Sequence, residues 1–291
     1  MQDRTQGFSE ITRASRDMRW PGGHRIALVF TLAYEMWSPG VASGVGPMGN
    51  VLPGGVFDPN ADSYGRYNAT AGIHRLLRIA DRAGVAASIM TSGRIAEYAP
   101  DHLKDIAAAG HEIVGHAYAQ DLIAPTLSPE AEIESIRRST DLIEKAAGAR
   151  PEGWISPRVT AGERTLRQLT AHGYRWHGDA VDDDLPYLQR FPEGEIVAVP
   201  VTVDFNDLPH AMRFGRTPRQ FVEMFDDTVT ALRRTGGDTV ILDVLVHGHC
   251  YGRPAGAWAF EEIVRRCTEQ DDLWITTRGP IADHFRSETG A

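Results

Sequence analysis

Cysteine is nearly missing from this chain: 291 residues contain two, Cys250 and Cys267. Two cannot make a disulfide framework, so both read as free thiols in a reducing compartment. Clustered positive charge is also absent. The formal charge is -9, from 30 Lys+Arg against 39 Asp+Glu, and no basic run occurs, which argues against nucleic acid or an anionic membrane as partner. No segment is apolar for long enough to span a bilayer, and Met1 to Arg19 is polar throughout, without the apolar stretch of a signal peptide. A cytoplasmic location is the expectation. Internal repeats and low-complexity tracts are lacking as well. What is present is an ordinary globular composition, 42% hydrophobic and 24% charged. It predicts an amino-terminal arm over residues 1–20 and one domain over 21–291.

Apolar runs alternate with helical patterns. Arg25 to Leu32 is almost continuously apolar behind Pro21-Gly22-Gly23, as suits a strand covered on both faces. Pro39 to Asp62 is rich in Gly, Pro, Asn and Asp and reads as a long loop, of a length usually reserved for function. A helix is predicted over Ala69 to Ala83, a strand over Val85 to Met90, a helix over Pro100 to Ala109 and a strand over Glu112 to Val114. Ser128-Pro129 opens a helix that Gly148 stops. Thr217 and Gln220 have capping-box spacing, and Asp238 to Val246 is the late strand. Repeated strand-then-helix units over this length favour an α/β fold built as a (β/α) barrel.

Reactive groups in such folds gather at the carboxyl ends of strands. Five places qualify: Tyr34-Glu35; His116 with Gln120 beyond it; Trp154 to Arg158 including Ser156; Val201 to Asp207; and His247 to Pro254. Each has a plainer reading. A glutamate after a strand is often a cap, His111 is expected to pack its turn, and Asp182-Asp183-Asp184 would ordinarily be a solvated turn. His247 and His249 are two residues apart, so in extended geometry only one should face the site. Cys250 lacks any sign of a lowered pKa.

In order along the chain, the motifs Trp20-Pro21-Gly22-Gly23, Tyr64-Gly65-Arg66, Ala109-Gly110-His111-Glu112-Ile113 leading to His116, and Gly153-Trp154-x-Ser156-Pro157 occur. Trp176-His177-Gly178-Asp179 with Asp183-Asp184-Leu185-Pro186-Tyr187, and Val246-His247-x-His249-x-x-Gly252-Arg253-Pro254, complete the set. Together they resemble the polysaccharide deacetylase family, the NodB-type domain, from about Trp20 to Phe285. The resemblance implies a distorted (β/α) barrel. Typical members use an aspartate base, with a second aspartate and two histidines holding a divalent metal, usually zinc. Here Ala33-Tyr34-Glu35-Met36 leaves one carboxylate where the aspartate pair is expected, and Gln120 replaces the second histidine.

The pattern is most similar to the metal-independent allantoinases and related cyclic amide hydrolases. That likeness implies hydrolysis of a carbon–nitrogen bond in a small cyclic amide, imide or ureide, with no tightly bound cofactor. Glu35, His116 and His247 are the expected catalytic groups. Tyr34, Gln120, Trp154, Ser156, Arg158, Asp183, Asp184, Tyr187, Asp207 and His249 are expected to bind substrate. One alternative is a metal-dependent N-deacetylase of an acetylated amino sugar, using Glu35, His116 and His247 to hold Zn2+ or another divalent ion. Another is a binding protein without turnover. The partner expected is a small-molecule substrate, with a homodimer or homotetramer suggested by the resemblance.

Overall fold

The computed structural model describes residues 10–44, 46, 52–53, 56–162, 164–236 and 238–290. Ten strands occur among them: β1 (Glu10–Arg13), β2 (Ile26–Tyr34), β3 (Ser88–Thr91), β4 (Glu112–Gly115), β5 (Gly153–Trp154), β6 (Trp176–His177), β7 (Tyr187–Phe191), β8 (Gly194–Ala198), β9 (Val240–His247) and β10 (Leu273–Thr276). Parallel pairing runs β8-β6-β5-β4-β3-β2, and β9 pairs with β2 from Ile26 to Ala33. Residues 31–34 of β2 pair with β3, and residues 26–29 with β10. Because β9 covers both stretches, β3 and β10 must lie end to end along the other edge of β2.

The strands curl into a distorted barrel. Its seam, between β8 and β9, carries no continuous ladder. An isolated bridge between Asn206 and Leu245 spans it, and the Thr202 hydroxyl donates to Ile241 O and accepts from Asp243 N.

Alternation along β2 decides what faces where. Leu28, Phe30, Leu32 and Tyr34 pack outward against the helices, in one cluster with Leu76, Phe225 and Phe260. Ala27 and Val29 point into the barrel with Met90, Val114, Ile241 and Leu245. Within that interior, Asp243 accepts from Thr31 Oγ1 at 2.5 Å and pairs with the fully buried Arg278, whose Nη1 also donates to Val199 O at 2.8 Å.

Nine α-helices occur among the described residues: α1 (Pro59–Tyr67), α2 (Ile73–Arg82), α3 (Gly93–Tyr98), α4 (Pro100–Ala108), α5 (Pro129–Ala147), α6 (Thr165–Ala171), α7 (Pro218–Thr235), α8 (Pro254–Thr268) and α9 (Arg278–Thr289). Ser128 caps α5, Gly148 ends it at φ 82°, and the capping box of Thr217 and Gln220 is formed at α7. No helix among the described residues is long and apolar enough to cross a membrane.

Three boundaries differ from the sequence expectation. The loop from Pro39 ends at Asp58, whose carboxylate caps α1 by accepting from Asn60 N and Ala61 N, so residues 59–62 are helical. Residues 45, 47–51 and 54–55 of that loop lie outside the described residues. The helix expected from Ala69 begins ten residues earlier and passes through a π-turn at Asn68–Gly72. Residues 85–87 precede β3 instead of opening it, and part of the amino-terminal arm, Glu10–Arg13, pairs antiparallel with β7.

Candidate active site

Glu35 follows the last residue of β2, so it continues the inward-facing set of alternate residues and lies buried at the carboxyl end of the barrel. His116 follows β4, and His247 is the last residue of β9. The three side chains meet. His116 Nε2 lies 3.3 Å and His247 Nε2 3.6 Å from Glu35 Oε1.

Second contacts fix both imidazoles. His116 Nδ1 is 2.5 Å from Ile155 O, a pure acceptor, so Nδ1 carries a proton and the ring is held with Nε2 toward Glu35. His247 Nδ1 is 2.6 Å from Asp207 Oδ1, while Asp207 Oδ2 accepts from His247 N and Tyr251 N, each at 2.9 Å. Burial disfavours the His247 cation, but Asp207 and then Glu35 outweigh it and raise its pKa to about 9. Burial likewise pushes the Glu35 carboxyl up, and His247, then His116, reverse this and bring it down to about 2. The pair is thus a carboxylate facing an imidazolium across most of the pH range. His249, buried beside His247, is pushed down to about 4 by burial first of all and stays neutral.

Three buried polar atoms here have no hydrogen-bond partner: Glu35 Oε1, His116 Nε2 and Gln120 Oε1. Such groups are costly in a dry interior and are expected where water or substrate completes them. They open on a cavity of about 1100 Å³, also lined by Arg158, Val159, Asn206 and His247.

Backbone strain collects around the same place. Outside glycine, positive φ occurs among the described residues at Ala117 (52°), Arg158 (62°) and Val159 (53°). One follows His116, and the other two line the cavity. For a β-branched residue this conformation persists only where the surroundings impose it.

Of the expected site residues, Glu35, His116, Gln120, Arg158 and His247 line the cavity. The others do not. Tyr34 precedes Glu35, so alternation sends it outward, where its hydroxyl is 3.0 Å from His102 Nδ1 on α4. Trp154 packs on Tyr174, and its Nε1 donates to Ser156 Oγ, which gives its only proton to Asp179 at 2.6 Å and lies buried. Asp183 is paired with Arg13 and Arg16, Tyr187 donates to Asp182 from the hairpin strand β7, and Asp184 lies in the same turn. Asp207 is not at the rim; it sits buried behind His247. His249 lies beyond the end of β9, near Asn68 Nδ2 (3.4 Å) and against Trp37 and Tyr64. His111 packs its turn as expected, accepting from Ala87 N at 3.1 Å.

Val159 and Arg213 of the cavity wall have no signal in the sequence, and Asn206 has one only as part of the stretch from Val201 to Asp207. All three lie in segments without periodic pattern.

The donor set does not fit a tightly held divalent ion. Among the described residues, no three His, Cys, Asp or Glu side chains are disposed to share one. Gln120 offers only a neutral amide, a poor ligand for such an ion.

Comparison with known proteins agrees with the architecture. A polysaccharide deacetylase family model matches residues 60–177. The peptidoglycan deacetylase of Helicobacter pylori is 23% identical over 269 residues, covering 80% of this chain and 89% of the relative. A structure described as a "probable Polysaccharide deacetylase" from Pseudomonas aeruginosa PAO1 superposes with TM-score 0.83 at 28% identity, covering 92% of this chain and 93% of that one. The allantoinase Puue superposes with TM-score 0.82 at 28% identity, covering 92% of each chain. The fold, the ordered motifs and these relatives agree: the chain is similar to polysaccharide deacetylases (NodB-type), by the family model over residues 60–177 and by the relatives and solved structures over most of its length.

Proposed function

We propose that this protein opens a small cyclic amide, imide or ureide by hydrolysis, without a tightly bound metal. The observation that carries the reading is the single buried carboxylate, Glu35, with an unpartnered oxygen set between His116 and a cationic His247.

Ring opening needs an activated water, a stabilised carbonyl oxygen and a proton for the leaving nitrogen. Glu35, ionised down to about pH 2, takes a proton from the attacking water. His116 Nε2 orients that water. The oxygen bonds to the ring carbonyl carbon, the carbon–nitrogen bond breaks, and His247 delivers its Nε2 proton to the departing nitrogen. Transfer of the proton from Glu35 to His247, 3.6 Å away, restores the pair. Gln120, standing where a metal-binding histidine is usual in the family, presents a side-chain amide complementary to the CO–NH edge of a cyclic amide. The likeness to an allantoinase over 92% of the chain supports the same reading.

A second reading, a metal-dependent N-deacetylase, is favoured by the name of the Helicobacter pylori relative, a peptidoglycan deacetylase. One assay separates the two: acid release by chelator-treated protein on allantoin, hydantoins, succinimide, glutarimide, dihydropyrimidines and acetylated amino-sugar oligomers. Turnover of a ring after chelation is the expected outcome. Silence that zinc reverses on acetylated sugars would sink the proposal.

A further inference from the structure

The cavity above Glu35 is larger than the ring it is proposed to open. Its volume of about 1100 Å³ lies just above the roughly 300–1,000 Å³ typical of pockets for drug-sized ligands. The extra space has a definite chemistry. Leu52, Val56, Val181, Val203 and Met212 line it, yet each is between 39% and 60% exposed, so they form an apolar collar open to solvent. Exposed apolar side chains gathered at one concave site mark a binding surface, unlike the same residues scattered singly.

Two guanidinium groups, Arg158 and Arg213, share the wall with this collar. Neither has an ion-pair partner among the described residues, whereas Arg137, Arg175, Arg233 and Arg265 each pair with carboxylates. Of the two carboxylates in the lining, Glu35 faces the histidines of the floor and Asp58 caps α1, which leaves two guanidinium groups against the single charge of Asp58. In a chain of net charge -9, the mouth of this cavity is therefore cationic. The left-handed backbone of Arg158, φ 62°, means that its position is imposed by the fold.

Resting on the ring-opening reading, we infer that the substrate is a cyclic amide whose ring bears an apolar arm with an acid group at its outer end. The ring occupies the polar floor, the arm lies along the collar, and the acid meets the arginines, for which planar carboxylates are the matched partners.

The test uses the full, chelator-treated chain and four hydantoins differing in one substituent: methyl, benzyl, 4-carbamoylbenzyl and 4-carboxybenzyl. Expected are a kcat/KM at least about tenfold higher for benzyl than for methyl, and about tenfold higher for carboxybenzyl than for carbamoylbenzyl, the size of one charge-assisted contact. Arg213→Gln should collapse the second ratio more than the first. The same compounds are titrated calorimetrically into the Glu35→Gln variant, so that preference is read without turnover. Rings opened or bound with no preference in either ratio would overturn the inference. Preference in binding with no ring opened would overturn the ring-opening reading and leave the ligand class standing.

Discussion

Two layers of the barrel interior, four residues apart on the same two strands, make opposite uses of buried charge. The lower layer holds Thr31 of β2 and Asp243 of β9; the upper holds Glu35 and His247. In the lower layer both Asp243 oxygens are taken, one by Thr31 and one by Arg278, and Arg278 reaches the carbonyls of Val199 and Pro200 as well. In the upper layer Glu35 Oε1 and His116 Nε2 have no hydrogen bond. Burial alone therefore does not identify a reactive carboxylate. The lower charge is consumed in holding strands together across the seam, while the upper one is left incomplete where a cavity reaches it.

The largest break of this contrast is Glu35→Gln. Removal of a general base should lower turnover by about 10²–10⁴-fold. Because His247 keeps Asp207 as its partner, the thermal midpoint should stay near that of the parent, measured alongside single-turnover kinetics. Arg278→Met attacks the other layer. Asp243 is left buried and unpaired, and denaturant titration should record a loss of about 3–5 kcal/mol. Equal stability losses for the two variants would erase the distinction between the layers.

Asp207→Asn sharpens the contrast by way of pH. The His247 pKa, raised to about 9 from 6.5, means that the acid form and its contribution to stability are complete below about 6.5 and are lost as pH rises through 9. In the variant the alkaline limb of kcat/KM should move down by about two pH units, toward the ordinary imidazole value; an unmoved limb would remove His247 as the proton donor. Gly72→Ala acts from behind the site. A Cβ there would stand 1.9 Å from Gly248 O, between His247 and His249, and a loss of about 1–3 kcal/mol with lowered turnover is expected by chemical denaturation and assay. Tyr187→Phe should do least. It removes only a hydroxyl donated to Asp182 on the far hairpin, and kcat/KM should change less than twofold; a larger fall would return Tyr187 to the site.

Much of this was legible in the residues themselves. The apolar runs gave β2 and β9 because strands buried on both faces lack polar alternation, and residues just past strand ends gave Glu35, His116 and His247. Tyr34 was misplaced although strict alternation with Glu35 separates the two. Asp207 was recognised as polar and near a strand, but its place behind His247 depends on a contact across 40 positions of sequence, made by a segment with no periodic pattern. Asp183 and Tyr187 looked like site residues because nothing local announces that Glu10–Arg13 will lie beside β7 and bring Arg13 to them. The positive φ of Arg158 and Val159 has no residue-type signature at all, since neither is a glycine or asparagine.

The seam between β8 and β9 has a consequence for how such a protein can diversify. Val201, Thr202, Val203, Asn206 and Leu208 all belong to it and all line the cavity, yet one bridge and one threonine hydroxyl tie most of the stretch to β9. Mutations there disturb almost no sheet pairing, whereas Glu35 and His116 follow strands held by full ladders. A library confined to residues 201–213 and sparing Asp207 would thus explore new substrates on an unchanged reaction, with inheritance of the chemistry and drift of the specificity assigned to separate stretches of chain.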